Sequence, residues 1–167
     1  ICEGLVGSEM CIRDRTYSRG YDNERKNFKS FNNFYLSPII CYESVYGEYV
    51  TEYTRSGSKL FAIITNDGWW DVSEGHKQHL SYAKLRAIEN RRNIVRSANT
   101  GVSAIINYRG EIEDSIEYGE EGFINTNVGL IEEKTFYVNY GDYIFRISLF
   151  FFIIIGLHFL ATIVKIK

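Results

Sequence analysis

Residues 147–164 form an unbroken run of 18 residues without a formal charge, and no other stretch limits the fold so sharply. A soluble domain can hide such a run only as a central core helix; otherwise it needs a bilayer. With Tyr143 to Phe145 added at its start, the run reaches about 30 Å as a helix, the thickness of a hydrocarbon core. It is apolar all round and carries Phe150, Phe151 and Phe152 in succession, which favours the bilayer. Tyr137, Tyr140 and Tyr143 gather before it as an interfacial belt would. Arg146 can snorkel at the outer end, and Lys165 and Lys167 follow on the side expected to face the cytoplasm. His158, inside the run, reads as a helix-packing residue rather than a proton relay.

The remaining residues suffice for one domain with a core, since the chain has 167 residues of which 45% are hydrophobic. A formal charge of -2 gives no push toward nucleic acid, so no nucleic-acid partner is expected. Cys2, Cys11 and Cys41 are odd in number and match no zinc spacing, so they define neither a disulfide set nor a redox compartment. The first residue is Ile1 and the one methionine is Met10. Residues 1–15 show no hydrophobic period and no apolar signal-peptide core. They are expected to be a leader foreign to the domain, and the chain a fragment. The expected organisation is therefore a leader over 1–15, an α/β domain over 16–142, and a transmembrane helix with a short tail over 143–167.

Within that domain the pattern predicts alternating strands and helices. Residues 16–33 read as a polar and aromatic surface loop with a short strand over 31–36. Leu36, Ile39 and Ile40 make a buried strand ending at Cys41, and Ser44 is a candidate cap for a helix over 45–53. Residues 59–65 are nearly all apolar, as in a strand covered on both faces. Asn66, Asp67, Gly68, Trp69 and Trp70 follow as a loop at that strand's carboxyl end, where layered α/β folds place ligands. Residues 75–92 predict the best helix, with His76, Leu80, Ala83, Ala87 and Ile88 on its inner face. Strands over 94–98 and 102–106 flank the turn Asn99-Thr100-Gly101. An edge strand over 111–118 and short strands over 122–130 and 135–138 complete the prediction.

Cys41 is the residue with chemistry in it. A cysteine where a strand passes into a helix is partly exposed and sits near amides that favour the attacking thiolate. A lone cysteine after an apolar strand also serves as an inert core residue. Glu43 reads equally as a site carboxylate and as a capping one. His76 and His79 lack a third ligand and the spacing of a helical zinc motif, so no metal and no cofactor is expected. Arg86, Arg91, Arg92 and Arg96 read as partners in structural ion pairs with Glu74 and Glu89, with contact to lipid phosphate the lesser reading.

Several motifs in order then carry a resemblance: Pro38-Ile39-Ile40-Cys41-Tyr42-Glu43, Thr65-Asn66-Asp67-Gly68-Trp69-Trp70, Gly75-His76-Lys77-Gln78-His79, Leu85-Arg86-Ala87-Ile88-Glu89-Asn90-Arg91-Arg92, and Arg96-Ser97-Ala98-Asn99-Thr100-Gly101-Val102-Ser103-Ala104. From about Pro38 to Lys167 the chain resembles the nitrilase, or carbon-nitrogen hydrolase, superfamily, and within it the apolipoprotein N-acyltransferases. The resemblance implies part of an αββα sandwich and a Glu-Lys-Cys triad with Cys41 as nucleophile, supported by Tyr42 and Glu43. Asn66, Trp69 and Trp70 would form a substrate loop. The implied reaction takes an acyl chain from a phospholipid onto cysteine and passes it to the α-amine of a diacylglyceryl-lipoprotein. It implies a bacterial inner membrane, with the domain on the periplasmic side and the carboxyl terminus in the cytoplasm.

The family's Glu and Lys lie well upstream of the nucleophile, and 40 residues precede Cys41 here. Neither is carried over to Glu24, Lys26 or Lys29, so this chain alone is expected to be inactive. Two other functions remain open: a carbon-nitrogen hydrolase acting on a small amide, which needs no bilayer, and a non-catalytic membrane-tethered remnant that binds partners.

Overall fold

The computed structural model describes residues 26–70 and 73–166. The leader, the start of the domain at residue 16 and Lys167 lie outside them. The elements are β1 (Phe28–Lys29), β2 (Tyr35–Ile40), α1 (Gly47–Arg55), β3 (Ser58–Thr65), α2 (Glu74–Asn90), β4 (Asn93–Ala98), β5 (Ser103–Ile106), β6 (Ile112–Ile116), α3 (Phe136–Tyr140) and α4 (Tyr143–Ile166). Short 3-10 turns, Cys41–Val45 and Asp67–Trp70, follow β2 and β3.

The six strands form one sheet in chain order, with β2, β3 and β4 mutually parallel and the other pairs antiparallel. Parallel neighbours need crossovers, and α1 and α2 supply them. Both pack on one face. Ile39, Phe61, Ile63, Ile94, Ala104 and Ile106 point to that face and meet Val50 and Tyr53 of α1 and Ala83 and Ala87 of α2. Burying such side chains contributes roughly 1.5–3 kcal/mol each. The opposite face carries Leu36, Pro38, Ile40, Leu60, Ala62 and Val95, all part-exposed, and exposed Ile64. The apolar run of β3 therefore does not mean cover on both faces among the described residues. It means one face packed by helices and one apolar face without a helix layer.

Several boundaries differ from the pattern. Phe31 is wholly exposed in the β1–β2 turn, where Asn33 takes φ 63°, so no strand spans 31–36. Ser44 caps no helix: its hydroxyl donates to the Cys41 carbonyl, and α1 begins three residues on. On α2 the buried side chains are His76, His79, Ala83, Arg86, Ala87 and Asn90, while Ile88 is exposed. Residues 117–135 form no strand: β6 pairs on β5, and the chain then runs without a regular element to α3. The expected strand over 135–138 is the start of a helix, whose Val138 N–H is accepted by the Thr135 hydroxyl.

The last helix meets the length argument. Tyr143–Ile163 has a mean hydropathy of 2.3 in its best window, and none of that window is buried in the protein. Its foot is tied to the domain. Glu48 of α1 accepts from Arg146 and from the Asp142 N–H, both near 2.8 Å. Val138 of α3 is fully buried, and its carbonyl accepts from Arg55. Replacing Val138 with Asp puts an unpaired charge into this seam, at a cost of several kcal/mol. Val138→Asp is expected to lower the unfolding midpoint and open the 134–142 connection to limited proteolysis; an unchanged cleavage pattern would refute the seam.

Candidate active site

Cys41 closes β2. The β2–β3 register pairs Ile40 with Ile64, so Cys41 and Thr65 leave their strands side by side. Cys41 has φ 48°, the left-handed region a side chain seldom takes. That conformation costs about 1–2 kcal/mol and turns the thiol out at the sheet edge, half-buried rather than sealed. Two clips hold the elbow. Glu43 accepts from the Ile40 N–H at 2.8 Å and from the Tyr49 hydroxyl at 2.7 Å. The Cys41 carbonyl accepts from Ser44 Oγ at 2.9 Å and faces His79 Nε2 at 3.2 Å. Burial, then bonds to Tyr53 and Glu43, push the Tyr49 phenol above its ordinary range, which keeps it a donor.

Beneath the elbow lies a buried polar cluster. Asp67 is fully buried directly after β3. Its Oδ1 accepts from Thr65 Oγ1 at 3.0 Å and stands 2.8 Å from His79 Nδ1; its Oδ2 accepts from Arg96 at 2.5 Å. Burial pushes this carboxyl up, but the bonds from His79, Arg96 and Thr65 and the charge of Arg96 outweigh it and lower it to about 2. Asp67 is therefore ionised at neutral pH and accepts only, which places a proton on His79 Nδ1. Thr65 Oγ1 also lies 3.4 Å from Cys41 Sγ.

Tyr42 is half-exposed, with its ring 6.1 Å from that of His79. Trp70 meets His79 edge-on at 5.1 Å, while Trp69 is 80% exposed beyond it. Asn66 accepts from the Gly68 N–H and from Asn99, so it ties the two loops together. A cleft of about 590 Å³ beside the elbow is lined by Glu43, Tyr46, Gly47, Glu48, Tyr49 and Glu52. His76 stacks on Tyr118 at 4.5 Å, apart from His79, and no cluster able to hold a metal occurs among the described residues.

Ser44, Thr65, Asp67 and His79 join the site although nothing in the local sequence marks them as site components. Asp67 sat inside Asn-Asp-Gly, which reads as turn chemistry. The available signal was a buried Arg on β4: a buried cation needs an anion nearby. Arg86 and Arg96 do pair with carboxylates, Glu89 and Asp67, and Arg91 with Glu133. Glu74 pairs instead with Lys77. Arg92, 1% exposed, spends its donors on the carbonyls of Ser58, Asn90, Arg91, Glu132 and Glu133.

Comparison with known proteins gives three findings. The family model for carbon-nitrogen hydrolase matches residues 17–132. An apolipoprotein N-acyltransferase from Geobacter metallireducens is 41% identical over 104 residues, covering 62% of this chain and 20% of the relative. One from Thermotoga maritima is 31% identical over 131 residues, covering 77% and 26%. The chain thus spans about a fifth to a quarter of the length of these relatives. Among solved structures, a carbon-nitrogen hydrolase from Helicobacter pylori superposes with a TM-score of 0.56 at 14% identity, covering 64% of this chain and 44% of that one. An amidase from Nesterenkonia sp. gives 0.50 at 16%, covering 74% and 46%. These two likenesses establish the fold.

Asp67→Asn leaves Arg96 buried without its anion and should cost about 3–5 kcal/mol. Because the folded carboxyl lies below its ordinary 3.8, its stabilisation is present above about pH 4 and is lost as pH falls toward 2. Melts of wild type and Asp67→Asn should therefore differ at neutral pH and converge in acid; a constant gap would refute the assignment.

Proposed function

The chain belongs to the carbon-nitrogen hydrolase family, and on that premise we propose that it is the carboxyl-terminal part of a membrane-bound cysteine N-acyltransferase. One observation carries the reading: a half-exposed cysteine in a left-handed elbow shares a short chain with a fully exposed apolar helix. The first suits covalent catalysis. The second holds the thiol at a lipid surface, which a hydrolase of small soluble amides does not need. Glu43 of the elbow and Glu48, which holds the foot of α4, line one cleft, so the elbow and the helix foot lie close together.

The steps balance as an acyl exchange. The Cys41 thiolate adds to an ester carbonyl of a phospholipid; the carbon–oxygen bond breaks, and the lyso-lipid oxygen takes a proton. The thioester left on Sγ is then attacked by the α-amine of a diacylglyceryl-lipoprotein. The carbon–sulfur bond breaks, the amine loses a proton and an amide remains. Splitting one difficult transfer at a thiolate is the gain. Glu43, fixed by Ile40 and Tyr49, holds the elbow, and Tyr42 flanks it. Trp69 offers an exposed indole to lipid. The base and the cation for the oxyanion are assigned to no residue of this chain. The proposed setting is a bacterial inner membrane, with the domain on the periplasmic side and the end of α4 in the cytoplasm.

The 167-residue chain in micelles is expected to show no turnover of phospholipid with a lipopeptide acceptor; turnover that depends on Cys41 would overturn that. Residues 26–167 joined to the preceding part of the Geobacter relative should form a hydroxylamine-labile acyl adduct on Cys41, seen by peptide mass, and Cys41→Ala should abolish it. A chimaera that hydrolyses a small amide without acyl transfer would favour the amidase reading. Activity surviving Cys41→Ala would refute Cys41.

A further inference from the structure

The Thr65 hydroxyl beside Cys41 has two acceptors for one proton. Oγ1 lies 3.4 Å from Cys41 Sγ and 3.0 Å from Asp67 Oδ1. It serves one at a time. Asp67 does not depend on it, because His79 Nδ1 lies 2.8 Å from Oδ1 and Arg96 donates to Oδ2 at 2.5 Å. A carboxylate with those two partners can release a third donor without being left unsatisfied. The sulfur behaves differently. A thiol accepts weakly, while a thiolate is a charged acceptor and gains more from a donor. Ionisation of Cys41 therefore reverses which acceptor is preferred.

We propose that Thr65 is a hydroxyl switch at the nucleophile, donating to Asp67 while Cys41 is a thiol and turning to Sγ when the thiolate forms, with Asp67, His79 and Arg96 as its positioning residues. This rests on the reading of Cys41 as the nucleophile. The turn needs only rotation about the Cβ–Oγ1 bond, since the β2–β3 register fixes the two side chains abreast. His79 joins the two halves, with Nδ1 against Asp67 and Nε2 against Ser44 Oγ and the Cys41 carbonyl. The same cluster that satisfies Asp67 thus fixes the backbone that carries the sulfur. The other ionisable groups in contact with the elbow include Tyr42 and Glu43 of the turn, Tyr46 and Tyr49 packed or bonded against them, and Arg86 of α2, which donates to the Val45 carbonyl; Thr65→Val leaves them in place.

The test is the pH profile of iodoacetamide alkylation at Cys41 in the full chain in micelles, read by mass of the Cys41 peptide. Removing a hydrogen bond to the thiolate in Thr65→Val should move the profile's midpoint up by about one pH unit. A more basic thiolate is also the better nucleophile. The rate should therefore fall roughly threefold below the midpoint and rise roughly threefold on the alkaline plateau, so that the two profiles cross. Thr65→Ser should restore the wild-type curve. Thr65→Ala gives the same comparison if the valine variant does not fold. A purely structural role for Thr65 produces no crossing. Superimposable wild-type and Thr65→Val profiles, or a serine variant that follows valine, would overturn the switch alone. A wild-type Cys41 that reacts at every pH no faster than in the denatured chain would overturn the nucleophile reading, and the switch with it.

Discussion

A single buried carboxylate organises the site. Taking Asp67 out of water costs several kcal/mol, and nothing apolar returns that cost; the offset comes from Arg96, His79 and Thr65 bonded to it. Each partner belongs to a different element, β4, α2 and β3. The hairpin turn between β4 and β5 closes on the same group: a Cβ at Gly101 would stand 2.6 Å from the Asp67 Cβ, so only glycine fits. Arg96 also donates to the Val102 carbonyl and fixes the turn from the other side. The charge therefore specifies how four segments meet, whatever its net contribution to stability.

The elbow draws on that arrangement. A left-handed cysteine is unfavourable by itself, and the folded chain offsets it with bonds to the flanking backbone, from Glu43 on one side and from Ser44 on the other. From there the connection runs outward. The turn leads into α1, whose Glu48 grips the foot of α4 and whose Arg55 holds α3. The apolar helix is thus tied within one helix length of Cys41, and its polar contacts lie at the end where the apolar run begins.

The pattern of the chain disclosed elements more readily than contacts. Apolar runs gave β2, β3 and the β4–β5 hairpin, and the uncharged run gave α4, because each is a local periodicity. Cys41 stood out because an abrupt stop in a buried strand is itself unusual. The failures share a cause. Ser44 looked like a cap because its residue type suits one, but its partner was the carbonyl three residues back. Residues 122–130 looked like strand because their composition permits it, yet they do not pair along the edge that β6 leaves open. Asp67 and His79 are separated by a loop and a helical turn. Their encounter depends on how α2 packs across the sheet, which no local spacing encodes.

Two apolar surfaces on this chain call for different surroundings. Around α4 the exposure is uniform and the side chains are long, Phe, Leu and Ile on every side, as suits a fluid solvent of hydrocarbon tails. On the sheet, the face away from α1 and α2 mixes Pro38, Ala62 and Val95 with Leu36, Ile40, Leu60 and Ile64, graded from part-exposed at β2 and β4 to half-exposed at Ile64. That is a pleated surface of defined relief, which a packed layer can match and lipid cannot. Sheet-on-sheet contact over such a face is the defining feature of an αββα sandwich. The elbow sits at the rim of this face, because Ile40, the last residue of β2, points into it while Cys41 turns away. A layer laid on the sheet would therefore end beside the sulfur of Cys41, and its side chains would meet the cluster of Thr65, Asp67 and His79 from the open side.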